Sequence, residues 1–214
     1  MTLPFDDGAT TTDGRPADLQ PDRETLTWQG FGDASRALTQ SIVDSGWMPE
    51  LIGDRPQCHH QRFFPQKRPE LIVAIARGGL LPAGAISYAI GVKAMGTMNV
   101  EFYTGVGQTL TEPQLLPPLM DVSAMDGKRV LVVDDVADSG STLKMVMDMI
   151  NAHGLSLDGH TTVKAEARSA VIYKKPRSVI EPDYMWRETD KWINFPWSTL
   201  PVIQRSQDND TKRV

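Results

Sequence analysis

One stretch of the chain, Val130–Thr142, limits what the sequence can fold into more than any other. It begins with four apolar residues, Val130–Val133, and such a short run favours a strand buried on both faces of a parallel sheet. Two aspartates, Asp134 and Asp135, follow where that strand should reach the surface. A loop of small and hydroxylated residues comes next, and then Leu143–Ile150 with helical spacing. The stretch therefore predicts a strand, a turn and a helix start.

The turn in this stretch has the chemistry of an anion site. Backbone N–H groups without helical partners, together with the macrodipole, favour an anion at the start of a helix. Ser139, Ser141 and Thr142 add hydroxyl donors, and Gly140 lets the backbone approach a ligand closely. The sequence here matches neither a Walker A loop nor a Rossmann fingerprint. The plainer alternative is a core strand followed by a capped helix.

The two aspartates beside this turn need an explanation, because carboxylates repel a phosphate unless they bind something else. Sugar hydroxyls and Mg²⁺ are suitable partners for Asp134 and Asp135. A ligand that combines a phosphate, a ribose and a metal-bound diphosphate would satisfy the whole stretch. In the plainer alternative, both aspartates are solvated.

A second strand, loop and helix are predicted earlier in the chain. Glu70–Ala76 has the composition of a buried strand, and a helix that ends at Ile90 follows it. Between them, Arg77 offers a planar fork of donors, and Gly78 and Gly79 expose backbone N–H groups. This loop therefore predicts a second phosphate site, against the alternative that Arg77 pairs with a surface carboxylate.

Composition excludes several classes of protein. The chain has 214 residues, which suit one α/β domain with additions, and no apolar run long enough for a membrane span. We expect no secretory signal, and the single cysteine, Cys58, favours a reducing cytoplasm. The net charge of −5 argues against nucleic-acid binding. Because no second ligand pair stands at zinc spacing from Cys58, His59 and His60, we expect a solvated loop there.

The chain divides into two predicted tails and one domain. Residues 1–24 have the composition of a disordered tail, the domain covers 25–200, and 201–214 form a polar C-terminal tail. Asp33 is expected to cap the first helix. Residues 104–124 hold three prolines and no helical period, which predicts a lid or a disordered loop. Near the C-terminus three tryptophans fall within twelve residues, where they could stack on a flat heterocycle or pack as a hydrophobic hood.

The order of these motifs resembles that of the type I phosphoribosyltransferases, above all the bacterial xanthine-guanine (6-oxopurine) branch. The likeness covers roughly residues 25–198, with the 49–68 and 155–166 connections as additions. It implies an α/β fold: a twisted, mostly parallel sheet flanked by helices, with a small C-terminal hood at about 174–200. The matching segments are Thr27-Trp28, Ala76–Leu80 with Pro82, Asp134–Thr142, Lys175-Pro176, and Trp192-Ile193 with Pro196-Trp197.

The resemblance also implies a role for each site residue in transfer from phosphoribosyl diphosphate (PRPP) to N9 of a purine base. Asp138 would act as the general base that takes the proton from N7. The 5′-phosphate of PRPP would be bound by Ser139, Gly140, Ser141 and Thr142. Its ribose would be bound by Asp134 and Asp135, and Asp135 would also bind Mg²⁺. Its pyrophosphate would be bound by Arg77 and Gly78. The base would be held by Lys175 at its 6-oxo group, by stacking on Trp192, and by the backbone of Ile193.

Two departures from the family pattern leave details open. Tyr103-Thr104 stands where the family lid often carries a Ser-Tyr pair. Asn194 and Ser198 stand where acidic residues are expected after the Trp-Ile pair, so the choice among guanine, xanthine and hypoxanthine is open.

The resemblance implies partners as well. They are PRPP, pyrophosphate, a purine base, the nucleoside monophosphate and Mg²⁺, with Mn²⁺ as an alternative metal, and a second copy in a homodimer or homotetramer. Two other functions remain: a PRPP-sensing regulator of the same fold, and transfer to a pyrimidine or another acceptor. The acidic balance and the retained Asp138 argue against the regulator, while Lys175 and Trp192 favour a 6-oxopurine over other acceptors.

Overall fold

The computed structural model describes residues 22–47, 69–101, 104–105, 108–109, 114–115, 122–156 and 162–203. In chain order its elements are β1 (Arg23–Thr25), α1 (Trp28–Ile42), β2 (Leu71–Ala76), α2 (Leu80–Ile90), β3 (Met95–Glu101), β4 (Thr104–Gly105), β5 (Gln108–Thr109), β6 (Gln114–Leu115), β7 (Arg129–Ala137), α3 (Ser141–Asp148), β8 (Leu155–Ser156), β9 (Thr162–Val163), β10 (Glu166–Lys174), β11 (Tyr184–Glu188) and β12 (Trp192–Asn194). Among these residues no helix is long and apolar enough to cross a membrane.

The larger of two compact units, Gly32–Asp190, is built on a six-stranded sheet. Its strand order is β11-β10-β7-β2-β3-β6, and every neighbouring pair is parallel except β3 with β6. Helix α2 packs on β2 and β7, and α3 packs on β7 and β10. The predicted fold class, a mostly parallel α/β sheet flanked by helices, is confirmed.

Strand β7 lies inside this sheet, between β10 and β2, which explains its composition. Each residue of Val130–Val133 is fully buried, as expected for a strand covered on both faces. The strand is longer than this apolar run and continues through both aspartates to Ala137. On one face, Val130 and Val132 belong to a core cluster that also holds Leu143 and Val146 of α3. The stretch Val130–Thr142 is therefore fixed at both ends by buried apolar residues.

Three local predictions differ from the structure. Helix α1 begins at Trp28, before Asp33, and the hydroxyl of Thr27 accepts a hydrogen bond from the N–H of Gly30 at 3.0 Å. Thr27 therefore does the capping that the sequence assigns to Asp33. Residues 23–24, which the sequence places in the tail, belong to β1. Strand β11 lies inside the predicted hood range, yet it is the edge strand of the main sheet.

The smaller unit contains the described residues up to Phe31 and those from Lys191 onward. Strands β1 and β12 pair in parallel, and Arg23 donates to the Oδ1 atom of Asn194 at 3.0 Å. The ring of Trp197 stacks on Phe195 at 4.8 Å between centroids and meets the edge of Phe31 at 5.2 Å. Such aromatic pairs contribute about 0.5–1.5 kcal/mol each beyond the area they bury. Trp197 is thus a packing residue.

Several predictions fall on residues that the structure does not describe. These are the tail up to residue 21, the solvated loop with Cys58, His59 and His60, the lid residues between the short strands of 104–124, and the tail from residue 204. The middle of the 155–166 connection, residues 157–161, also lies outside the described residues.

Candidate active site

The last residues of β7 carry the paired carboxylates Asp134 and Asp135. Both side chains are partly buried, and the N–H of Asp135 donates to Oδ1 of Asp134 at 2.9 Å. Both residues lie toward the carboxyl end of an interior strand, the edge at which open α/β sheets bind their ligands. The sheet topology therefore puts the predicted ribose and metal ligands where a ligand is expected.

The electrostatics of this pair favour a cation or hydroxyl donors. Burial raises the pKa of Asp134 well above its ordinary range, and the neighbouring charge of Asp135 raises it further. Burial also raises the pKa of Asp135, from 3.8 to about 6. Near neutral pH, burial therefore makes the ionised form of the two carboxyl groups unfavourable, and a bound cation would offset this free-energy cost.

The loop after β2 lies directly against this pair. A Cβ atom added at Gly78 would collide with the carboxyl group of Asp135, and one added at Gly79 would collide with the carbonyl oxygen of Val133. Only residues without side chains fit here, so the glycines let the two loops approach each other. Arg77, the predicted pyrophosphate ligand, is exposed beside them, and the peptide bond between Ala76 and Arg77 is cis.

The loop after β7 forms the start of α3. Gly140 adopts a left-handed conformation with φ of 75°, and no side chain caps the helix that begins at Ser141. The N–H of Ser141 donates to the hydroxyl of Ser139 at 3.3 Å, and that hydroxyl donates to the hydroxyl of Ser141 at 3.2 Å. Thr142 follows in the first turn. The structure thus brings the four predicted 5′-phosphate residues together at a helix N-terminus, where an anion is favoured.

The predicted general base, Asp138, lies in the same loop and pairs with a residue that the sequence did not single out. Arg177 donates from both Nε and Nη2 to Oδ1 of Asp138, at 2.9 and 2.5 Å. The two residues are 39 positions apart, and the only sequence signal is that Arg177 closely follows Lys175.

The predicted base ligands lie in different units of the chain. Lys175, in the larger unit, directly follows β10; its side chain is buried, and its N–H donates to the carbonyl oxygen of Ala137 at 3.0 Å. This bond fixes Lys175 beside the end of β7. Trp192 and Ile193 lie in β12 of the smaller unit, where Trp192 is 65% exposed and Ile193 is buried. An exposed ring can stack on a flat ligand, whereas the side chain of Ile193 serves packing.

A mostly parallel sheet in which two strand–loop–helix units meet at the carboxyl ends of neighbouring strands is typical of α/β proteins that bind a ligand at this edge. The profile of the phosphoribosyl transferase domain matches residues 56–202, and the chain belongs to the phosphoribosyltransferase family. The predicted family is thereby confirmed. Similarity to xanthine-guanine and other purine phosphoribosyltransferases makes the chain an enzyme of the purine phosphoribosyltransferase type.

The relatives to which the chain is similar include named purine phosphoribosyltransferases. A xanthine-guanine phosphoribosyltransferase of Gluconobacter oxydans is 34% identical over 134 residues, which are 62% of this chain and 70% of the relative. The enzyme of that name from a Ruegeria species is 31% identical over 80% of this chain and 83% of its own. Among solved structures, a purine phosphoribosyltransferase from Pyrococcus horikoshii is 29% identical, with a TM-score of 0.59, and the alignment covers 86% of this chain and 99% of that one.

Proposed function

We propose that the protein transfers the phosphoribosyl group of PRPP to N9 of a 6-oxopurine and releases pyrophosphate, a reaction of purine salvage. One observation carries the proposal: Gly78 lies directly against the carboxyl group of Asp135. The resemblance assigns Gly78 to the pyrophosphate of PRPP and Asp135 to its ribose and Mg²⁺, so this contact brings together the residues expected to bind neighbouring parts of one ligand. The names of the relatives from Gluconobacter and Ruegeria support a 6-oxopurine as the acceptor.

In this proposal the two loops divide PRPP between them. The 5′-phosphate lies at the start of α3 and accepts hydrogen bonds from Ser139, Gly140, Ser141 and Thr142. Asp134 and Asp135 accept hydrogen bonds from the ribose hydroxyls. Arg77 and the backbone of Gly78 hold pyrophosphate as it leaves, because a guanidinium fork and N–H groups both match phosphate oxygens.

A divalent metal fits the residues present. The donor set at the carboxyl edge consists of carboxylate oxygens, which Mg²⁺ and Mn²⁺ prefer, and burial of Asp135 leaves its charge in need of a cation. In the described part of the chain no group of three or more His, Cys, Asp or Glu could hold a metal alone. We therefore assign Asp135 to a metal that enters with the diphosphate. When bound, that metal would neutralise charge on the leaving pyrophosphate.

The residues around the reacting atoms then have separate tasks. As N9 attacks C1′, the proton on N7 passes to the carboxylate of Asp138, so that the base does not accumulate positive charge. Lys175 donates to the 6-oxo group, which excludes a 6-amino base because two donors would face each other. Trp192 stacks on the flat base whichever purine is bound, and the backbone of Ile193 contacts the base near its C2 atom.

The remaining partners follow from this proposal. The substrates and products are PRPP, the purine base, pyrophosphate and the nucleoside monophosphate. We further propose a homodimer or homotetramer in the cytoplasm, as the resemblance implies, with a lid at 104–124 that excludes water from the reacting ribosyl centre.

The proposal is tested by measuring pyrophosphate release from PRPP and Mg²⁺ with a panel of free bases. Guanine, xanthine or hypoxanthine should support turnover, and adenine and uracil should not. Binding of PRPP without turnover of any base would favour the PRPP-sensing regulator. Turnover of uracil alone would instead favour the pyrimidine-acceptor alternative.

A further inference from the structure

The pairing of Arg177 with Asp138 has an unusual distribution of hydrogen bonds. Both donors of Arg177, Nε at 2.9 Å and Nη2 at 2.5 Å, point at the same carboxylate oxygen, Oδ1. Among the described residues, no hydrogen bond reaches the other oxygen, Oδ2. One oxygen of the carboxylate is therefore held, and the other is left to accept a proton.

Backbone contacts explain how Arg177 comes to this position. The turn that follows Lys175 is hydrogen-bonded to the loop after β7, because the N–H of Val179 donates to the carbonyl oxygen of Ser139 at 2.9 Å. Within the turn, the N–H of Ser178 donates to the carbonyl oxygen of Lys175 at 3.0 Å. A Cβ at Gly140 would collide with Oγ of Ser178, so the two segments pack closely. These contacts fix the backbone on both sides of the pair.

Stability does not account for the pair. The side chains of Arg177 and Asp138 are 70% and 48% exposed, and ion pairs exposed to this degree contribute only about 0–1 kcal/mol to folding. The fork of Arg177 instead restricts rotation of the Asp138 carboxylate, since both of its donors must stay on one oxygen. The main effect of the ion pair is therefore to orient the carboxylate of Asp138.

We infer that Arg177 is a positioning residue for Asp138, which it holds by Oδ1 so that Oδ2 accepts the proton from N7 of the purine. The inference rests on the proposed function. In the step, N9 forms its bond to C1′ while the bond from C1′ to the pyrophosphate oxygen breaks, and that electron pair leaves with pyrophosphate. The N7 proton moves to Oδ2 and passes later to solvent.

A double-mutant cycle tests the inference by comparing Arg177→Ala in two backgrounds. With Asp138 present, Arg177→Ala should lower kcat roughly 10-fold, because coupled neighbours show effects of this size, and it should leave the KM for PRPP unchanged. With Asp138→Asn present, where no carboxylate remains to be oriented, the same change should have no further effect. Arg177→Lys should recover part of the loss, because an ammonium still donates to Oδ1.

A matched control separates orientation from loss of charge. Arg36 is exposed and lies in α1, outside both loops of the site, so Arg36→Ala removes the same charge and should leave kcat unchanged. The Asp138→Asn background is measured in single turnover with enzyme in excess, since its rate is low.

Each outcome decides the inference. An equal loss of kcat in both backgrounds would show that Arg177 acts without Asp138 and would overturn it, as would a raised KM for PRPP, which would indicate a direct phosphate contact. Unchanged kcat in Arg177→Ala would overturn it while the proposed function stands. If the unmodified protein turns over no base in the panel, the proposed function and the inference fail together.

Discussion

The close packing of the loop after β2 against the sheet makes a prediction about Gly79 that needs no knowledge of the ligand. A Cβ at this position would collide with the carbonyl oxygen of Val133 and would lie 2.7 Å from that of Ile75. Both oxygens belong to the backbone of neighbouring strands inside the sheet, so neither can move by a simple side-chain rotation. We therefore predict that Gly79→Ala destabilises the protein.

The size of this effect follows from two opposing contributions. The backbone of Gly79 has φ of −65°, which alanine adopts without strain. Because alanine lowers the conformational entropy of the unfolded chain, this contribution alone would stabilise the folded protein by about 0.4–1 kcal/mol. Overpacking a rigid site costs about 1–3 kcal/mol. The net loss in the free energy of unfolding should be about 1–2 kcal/mol, which lowers Tm by roughly 2–8 °C in a chain of this length.

The control is another glycine only a few residues away. A Cβ at Gly84, inside α2, would meet nothing within 4 Å, and alanine in a helix interior is better than glycine by about 0.5–1 kcal/mol. Gly84→Ala should therefore raise the free energy of unfolding. Both variants are measured by urea denaturation without ligand. A Gly79→Ala protein as stable as the unmodified one would refute the close packing of Gly79 against the backbone of β2 and β7.

The remaining predictions concern residues and the metal at the site. Asp138→Asn should lower kcat by about 10²–10⁴ while the PRPP affinity measured by calorimetry stays nearly the same, and full turnover would contradict the general-base role. Lys175→Ala should impair use of guanine and hypoxanthine in initial-rate assays, whereas Trp192→Ala should raise KM for every base, since stacking contributes about 1–3 kcal/mol without distinguishing them. A loss confined to one base in the Trp192 variant would argue against stacking. The pKa of Asp135 is raised from 3.8 to about 6, so its contribution to the stability of the ligand-free protein is present below the lower value and is lost as pH rises through the upper one. In thermal melts Asp135→Asn should thus be more stable than the unmodified protein at neutral pH, by up to about 3 kcal/mol for a pKa shift of this size, and equal to it in acid. A lower Tm at neutral pH would contradict the role of burial. Activity should disappear when EDTA removes Mg²⁺ and return with Mg²⁺ or Mn²⁺, and turnover that survives EDTA would count against a metal at Asp135.

Much of the protein could be predicted from patterns that are local in the chain. The run Val130–Val133 indicated a buried strand because such a strand needs apolar residues on both faces. The end of the following helix at Gly91 was predicted from a turn residue, and the structure ends α2 at Ile90 with Gly91 in the left-handed conformation. Motif order was enough to indicate the family, because each motif is a short run of neighbouring residues that can be recognised without the fold.

The tertiary structure decided the features that join distant parts of the chain. No local pattern shows that Gly78 lies against Asp135, because that contact depends on the pairing of β2 with β7. The position of β11 at the edge of the main sheet also depended on its pairing with β10, which local sequence preference does not show. Arg177 reaches Asp138 across 39 residues only because the turn after β10 docks on the loop after β7. Sequence spacing could supply the residue types of the site, but pairings between strands determine which of them meet.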